Sequence, residues 1–440
     1  MSVEVRAREE VHLRWRRGPA IAVGVALAAA CAAVGLVFSR PDVIAIGLPL
    51  ALASGWALWG RPRGGRITIG LKVEQSDAPE QVGPVVRGAV DVDGDGDWVQ
   101  LAVDQGHRRS ALVDAGSRDR AVRSRTSLRH SGPHELLAVS ARLVAHDGAW
   151  VTDVSSPPVA LGWAAPPLTR PLRVLPVAPR LTGMHGAHDG SRQGDGGEFR
   201  DIHPFAPGDQ LRRIDWKATA RAARRPGDLL VRRTNSLSDS SVVIALDTSD
   251  DLGSAVASWG SDDPDRTGIT SLDLGREAAL SIATAAVANG DRVAYHALSY
   301  DGQALPSGSG PRHLARLRDL VASTGVSAEG SRFRRTPSVP AGSIVFVLST
   351  FFDGAAAELA IRWRAGGHSV VAVDTLPEPD TSRLTREQRL AMRALLAERH
   401  DVLTELTRTG VDVVTWHSDD VDANVQLAAR RQRHRRAVRR

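Results

Sequence analysis

The chain has almost no cysteine. Its single thiol, Cys31, lies inside an apolar run, so no disulfide and no cysteine zinc site can form within one chain. Lysine is equally scarce, because Lys72 and Lys217 are the only lysines among 56 basic residues, and arginine carries the positive charge. The net charge is +6 with 42% hydrophobic residues, which indicates a folded chain rather than a disordered one.

Charge is absent from a long stretch near the N-terminus. No charged residue stands between Arg17 and Arg40, and about 20 apolar residues suffice to cross a bilayer core of about 30 Å. We therefore predict transmembrane helices over residues 18–39 and 43–60, the second with Pro49 inside it. The link between them is so short that the two helices must be antiparallel. A cleaved signal peptide is the competing interpretation, and the second apolar run argues against it.

Arginine flanks the outer ends of both apolar segments. The flanking residues are Arg14, Arg16, Arg17, Arg61, Arg63 and Arg66. Only Arg40 lies in the link between the segments. By the positive-inside rule both ends face the cytoplasm, including an N-terminal segment 1–17. The sequence thus predicts a two-pass protein of the plasma membrane with a cytoplasmic soluble body.

The hydrophobic pattern divides the soluble body into two parts. Residues 66–165 contain short alternating runs between turn residues, which predicts an antiparallel β-sandwich-like module. Residues 241–417 alternate apolar strands with helical patterns, which predicts a parallel, doubly wound α/β sheet. Ligands bind such sheets beyond the carboxyl ends of the strands.

The α/β part lacks familiar catalytic motifs. No glycine-rich phosphate loop follows its first apolar strand, which argues against a nucleotide site. The sequence shows no serine or cysteine nucleophile paired with a nearby histidine, and no glycosidase or zincin motif. We therefore expect the protein not to be an enzyme.

Oxygen-bearing side chains follow the first strand of this part. The order is Asp247-Thr248-Ser249-Asp250-Asp251, and oxygen ligands at alternate positions suit Mg²⁺. The loop resembles the metal-ion-dependent adhesion site of von Willebrand factor A-like domains, with Asp251 replacing a serine. The resemblance implies Asp247, Ser249 and Asp251 as metal ligands, with Thr270 as a further candidate. The alternative is a degenerate loop that only caps the sheet.

A segment that contains aromatic, basic and acidic residues precedes the α/β part. Residues 206–209 read Ala-Pro-Gly-Asp, a composition typical of a turn. Leu211, Ile214 and Trp216 are expected to pack onto a core. The neighbouring acidic and basic residues form either an internal ion-pair network or an interaction surface.

This segment, placed within residues 172–240, resembles the hallmark of the domain of unknown function 58 family. The matching residues are Phe199, Pro207, Gly208, Asp209, Arg212, Arg213, Ile214, Trp216, Thr219, Ala220 and Arg221. His203 and Phe205 stand where the commoner pattern has arginine and tyrosine. The resemblance implies a bacterial, membrane-anchored adaptor or scaffold. It also implies a MoxR-type AAA+ ATPase partner in the assembly or activation of a protein complex. The alternative function is a metal-dependent adhesion or ligand-binding receptor.

Residues 418–440 form a strongly basic end. A run of arginines there is expected to be a solvated tail, to bind anionic lipid headgroups, or to contact nucleic acid. The predicted membrane anchor favours lipid over nucleic acid.

Overall fold

The computed structural model describes residues 4–76, 85–105, 110–116, 120–176, 188–207, 209–222, 225, 228–238, 240–259, 268–300, 302–327, 336–418 and 420–438. These residues form two compact units. The first covers the described parts of Met1–Arg129 and Pro133–Ala165. The second covers those of His130–Gly132, Pro166–Ser261 and Arg266–Arg440.

The first unit consists of a helix pair and ten strands. In chain order they are β1 (Glu4–His12), β2 (Trp15–Arg17), α1 (Pro19–Val37), α2 (Pro41–Trp59), β3 (Arg66–Ser76), β4 (Val85–Gly94), β5 (Trp98–Asp104), β6 (Ser110–Gly116), β7 (Arg120–Ser127), β8 (Gly132–Ala145), β9 (Trp150–Thr152) and β10 (Val159–Ala165).

Two antiparallel sheets share the core of this unit. One has the order β1-β3-β4-β7, and the other β2-β9-β8-β5-β6 with β10 also paired to β8. Alternate side chains of β5 are buried, so Val99 and Leu101 point inward together with Ile67, Ile69 and Leu143. This is the sheet-rich structure that the alternating pattern of residues 66–165 predicts.

The N-terminal segment belongs to the same sheets. Strand β1 pairs antiparallel with β3, with Glu4 opposite Glu74 and His12 opposite Arg66, and β2 pairs with β9. Leu13 and Trp15 are buried, and the Leu13 amide donates to the Gly65 carbonyl at 2.8 Å. The sequence predicts a separate segment over residues 1–17, whereas in the structure the module contains strands from both sides of the helix pair.

The helices α1 and α2 lie within two residues of their predicted boundaries and form an antiparallel pair. Each is long and apolar enough to cross a membrane, and only 11% and 17% of their most apolar windows are buried. They pack through small residues, since a Cβ on Gly47 would lie 2.8 Å from the Cys31 Cβ. Ile21 of α1 is buried in the core of the first unit, whereas large apolar side chains such as Leu36, Val37 and Trp59 are exposed.

The second unit contains the remaining elements. They are β11 (His188–Pro204), a 3-10 turn (Leu211–Arg213), α3 (Trp216–Ala222), β12 (Leu230–Ser238), β13 (Ser241–Asp247), a 3-10 turn (Val256–Ser258), α4 (Ser271–Ala288), β14 (Arg292–Leu298), β15 (Ala304–Gly308), α5 (Pro311–Ser323), β16 (Ile344–Ser349), α6 (Ala355–Ala365), β17 (Ser369–Asp374), α7 (Arg386–Arg408), β18 (Asp412–Thr415) and α8 (Val421–Val438).

A six-stranded sheet organises this unit, with the order β15-β14-β13-β16-β17-β18. Only β15 is antiparallel to its neighbour. Residues of α4, α5 and α8 pack on one face, and residues of α6 and α7 on the other. The chain therefore reverses its winding direction between β13 and β16, which is the switch point where doubly wound sheets bind ligands.

The basic end of the chain is not a separate tail. Helix α8 buries Val421, Val425, Ala428 and Ala429, three of them in the same core as the sheet. Gln432 is also buried, and its side-chain amide donates to an Asp412 carboxylate oxygen at 3.3 Å. The boundary predicted at residue 418 is therefore wrong for the first part of α8, which completes the α/β unit.

Candidate functional site

The switch point brings together side chains from the ends of β13 and β16. The Ser349 hydroxyl donates to Oδ2 of Asp247 at 2.7 Å. On the other oxygen, Asp247 Oδ1 accepts from the Ser249 amide at 3.1 Å and from the Ser249 hydroxyl at 2.8 Å. The Asp247 carboxylate is thus buried and held by three donors.

A second link joins the same two loops. The Thr350 hydroxyl donates to Asp250 Oδ2 at 2.8 Å. Between the loops lies a space too small to admit a water molecule, lined by Asp247, Ser249, Asp250, Ser271, Leu272, Thr350 and Thr375. The loops are therefore tied to each other through hydroxyl–carboxylate pairs around this space.

Burial dominates the acid–base behaviour of this cluster. It raises the pKa of Asp247 to about 6, against the opposing effect of the Ser349 hydrogen bond and with a further increase from the charge of Asp353. Burial also raises the pKa of Asp250, again reinforced by the charges of Asp353 and Asp251. Carboxylates with raised pKa values at a ligand-binding edge mark a candidate site.

The predicted metal ligands do not all converge. Asp247 and Ser249 meet, but Oδ1 of Asp251 accepts from the Leu272 amide at 3.3 Å, at the start of α4. Thr270 caps the same helix, because its hydroxyl accepts from the Asp273 amide at 3.3 Å. Within the described ranges no group of three or more His, Cys, Asp or Glu side chains is placed to hold a metal. In this arrangement the oxygens do not fit Mg²⁺, and its binding stays a prediction.

An arginine absent from the sequence prediction completes the site. Arg399 of α7 donates from Nε to the Thr350 carbonyl at 2.6 Å and from Nη2 to Asp374 at the end of β17. Its guanidinium carbon lies 5.5 Å from the centre of the Phe352 ring. Both charged side chains are about nine-tenths buried. The pair therefore fixes α7 and the loop after β16 to one edge of the sheet.

The turn of the signature segment is held by its own acid. Asp209 Oδ2 accepts from the Ala206 amide at 2.9 Å, and the Asp209 amide donates to the Ala206 carbonyl at 3.0 Å. Arg233 of β12 lies 3.7 Å from the same carboxylate. Pro207 is exposed, and Gly208 lies outside the described residues. These contacts of Asp209 therefore join residues within the signature segment itself.

The short helix α3 is capped by Asp215 and joined to β12 by Thr219. Asp215 Oδ1 accepts from the Ala218 amide at 2.8 Å, and the Thr219 hydroxyl accepts from the Leu230 amide at 3.0 Å. Ile214 pairs with Val231, and both are buried, so the prediction that Ile214 packs onto a core is correct.

Other side chains of the segment point outward. Leu211 and Trp216 are 69% and 67% exposed, so the expectation that they pack onto a core is wrong. Lys217 and Arg221 are exposed one helical turn apart on α3. We refer to Leu211, Trp216, Lys217 and Arg221 as the signature face. Arg212 is also exposed, with Nε donating to Gln210, while Arg213 is half-buried.

Phe199 lies on β11 and is not one of the signature-face residues. It is 48% exposed, and the guanidinium carbon of Arg232 lies 5.4 Å from its ring centre. The acidic residues of the segment therefore hold it together internally, while large apolar and basic side chains remain at the surface.

Comparison with known proteins places part of this unit in a family. No curated protein and no solved structure matches the chain. Residues 201–394 match the family described as protein of unknown function DUF58, a region that holds most of the signature segment and the strands of the switch point. For residues 201–394, this match supports the family that the signature residues predict.

Proposed function

We propose that this protein is a membrane-anchored, non-enzymatic adaptor whose second unit docks onto a MoxR-type AAA+ ATPase in the assembly or activation of a protein complex. The observation that carries the docking role is the exposure of Trp216 inside the segment that matches the family. Exposed tryptophan beside arginine is the composition typical of energetically dominant residues in protein interfaces.

The exposed apolar surface of α1 and α2 supports the membrane anchor. Leu36, Val37 and Phe38 are 73%, 76% and 69% exposed, and Trp59 is 94% exposed. A water-soluble monomer rarely leaves so large an apolar surface uncovered, whereas a bilayer covers it.

The pairing of β1 with β3 supports a retained anchor over a cleaved signal peptide. Strand β1 precedes α1 and contributes nine residues to the sheet, so cleavage after α1 would remove an edge strand. The same pairing sets His12 opposite Arg66, which keeps both ends of the helix pair on one side. The flanking arginines favour the cytoplasm as that side.

The strand order of the second unit supports a von Willebrand factor A-like domain. Asp247 lies after the central strand β13, beside the switch point, where the adhesion-type loop of that family is expected. The partnership with the ATPase follows from the family resemblance, and the signature face offers the surface for it.

The adaptor proposal is tested by co-purification of the full chain from detergent extracts of its own cells. The wild-type chain is expected to recover an AAA+ ATPase, and Leu211→Ala with Trp216→Ala is expected to lose it. Trp98→Ala is the matched control, since Trp98 is 51% exposed on the first unit. Failure to recover any ATPase with the wild-type chain, in the presence of ATP or ADP, contradicts the proposal.

A metal-dependent receptor is the second candidate function. The meeting of Asp247 with Ser249 at the carboxyl end of β13 favours it. It requires a divalent ion bound by Asp247 and Ser249, and a titration with Mg²⁺ separates the two functions.

A further inference from the structure

A cleft lies at the base of the helix pair, in the first unit. It has a volume of about 770 Å³ and is lined by Leu13, Arg14, Trp15, Arg16, Arg61, Pro62, Arg63, Gly64 and Asp153. This volume falls in the range of about 300–1,000 Å³ typical of small-molecule sites. The lining includes four arginines and one aspartate, so it carries a net positive charge.

The four arginines are available to a ligand. All are exposed, and within the described part of the chain none forms an ion pair through its side chain. Asp153, the only acid of the lining, has Oδ1 accepting from the Val154 amide at 2.9 Å. Arginine binds phosphate oxygens through paired N–H donors, which makes such a group of guanidinium ions an anion site.

One residue of the lining also carries a buried donor without a partner. Trp15 is 7% exposed, and its indole Nε1 has no hydrogen-bond partner. A buried N–H group without an acceptor is rare in folded proteins and costs free energy.

The backbone around the cleft is fixed before any ligand arrives. Asp95 Oδ2 accepts from the Gly65 amide at 3.1 Å and from the Arg66 amide at 3.0 Å, and these bonds lower the pKa of Asp95. Gly64 has a φ of +85°, and a Cβ there would lie 2.3 Å from Asp95 Oδ2. The loop that carries Arg61 and Arg63 is therefore preorganised.

From these features we propose that the cleft binds a phosphate group, that of an anionic phospholipid headgroup or of a soluble phosphate ester. Arg16 lies three residues before the start of α1, and Arg61 two residues after the end of α2. The cleft thus opens at the level where headgroups meet the protein. The assignment of a lipid as the source of the phosphate group rests on the proposed membrane anchor, whereas phosphate binding itself does not.

The test uses the full chain in nanodiscs of phosphatidylcholine, with binding followed by native mass spectrometry. Phosphatidylglycerol, phosphatidylcholine and glycerol phosphate are the three probes. We expect phosphatidylglycerol to bind preferentially, and replacement of Arg14, Arg16, Arg61 and Arg63 by glutamine to weaken it at least about tenfold.

A control variant removes the same charge elsewhere on the first unit. Its exposed sites are Arg8, Arg87, Arg123 and Arg129, each replaced by glutamine. Equal weakening in the control, unchanged binding in the cleft variant, or no binding of any phosphate probe overturns the proposal. Binding of glycerol phosphate as tight as that of the lipid supports the site and assigns it to a soluble ester. Recovery of the ATPase by the cleft variant is scored separately, so failure here is distinct from failure of the adaptor function.

Discussion

Ser349 and Asp247 are 102 residues apart in the chain, yet the hydroxyl of one donates to the carboxylate of the other at 2.7 Å. This hydrogen bond joins the ends of β13 and β16, the two strands between which the sheet changes its winding direction. The stability of the switch point, and its response to pH and to metal ions, follow from how this buried carboxylate is held.

The first prediction concerns the pH dependence of stability through Asp247. Its pKa is raised to about 6, above the ordinary value of 3.8, so the folded state binds a proton more tightly than the unfolded state. Stability therefore falls as pH rises through the window from about 4 to about 6, and the cost is complete above it. Asp247→Asn removes the titration, and thermal unfolding at pH 7.5 should show the variant more stable by up to about 3 kcal/mol.

The control for this prediction is the same measurement at low pH. Near pH 4 the wild-type carboxyl is largely protonated, and the variant should lose most of its advantage. An advantage of the same size at pH 4 and at pH 7.5 would show that the effect does not arise from ionisation.

The second prediction concerns metal ions. Asp247 Oδ1 and Oδ2 accept from Ser249 and Ser349, whereas Asp251 and Thr270, the other predicted ligands, accept from amides at the start of α4. We expect titration calorimetry of the wild-type chain with Mg²⁺ or Mn²⁺ to show the same heat as Asp247→Ala. A concentration-dependent heat, or a stabilisation seen only in the wild type, would favour the receptor function instead.

The third prediction concerns the buried pair of Arg399 and Asp374. Arg399→Met removes one partner and leaves the carboxylate uncompensated, which costs about 3–5 kcal/mol. Arg393→Met is the control on the same helix, because Arg393 is exposed, and its effect should be close to zero. Chemical unfolding of the two variants measures the difference, and similar stabilities would contradict the proposed role of the pair.

The fourth prediction concerns the packing of α1 against α2. A Cβ on Gly47 would lie 2.8 Å from Cys31, whereas a Cβ on Gly55 would meet no atom within 4 Å. Gly47→Leu should therefore destabilise the helix pair by about 1–3 kcal/mol through overpacking, and Gly55→Leu should not. Thermal unfolding in detergent compares them, and equal destabilisation would place the helix interface elsewhere.

The sequence predicts the elements whose pattern is strong. Uninterrupted apolar runs identify α1, α2, β13 and β16, because each is uniform in character over its whole length. The alternation of strands and helices also predicts the doubly wound sheet, and the signature residues predict the family. The sequence also predicts the candidate site in the loop after β13, because an acidic residue directly follows a buried strand.

Other features depend on contacts between distant residues. Strand β1 has weak alternation and many charges, so only its pairing with β3 reveals it as a strand. Helix α8 buries Val421, Val425 and Ala428. Its many arginines make the segment strongly basic, so its composition does not reveal this buried side. Arg399 is one arginine among many in α7, and nothing in its local sequence distinguishes it from Arg393.

The central claim is that α1 and α2 cross the membrane and leave the rest of the chain in the cytoplasm. Its most direct test is labelling of single cysteines in intact cells with a membrane-impermeant thiol reagent, in a Cys31→Ala background. The account predicts that Arg40→Cys, in the link between the helices, is labelled, while Glu9→Cys in β1 and Glu387→Cys in α7 react only after lysis. Labelling of Glu387→Cys in intact cells, or protection of Arg40→Cys, would contradict it.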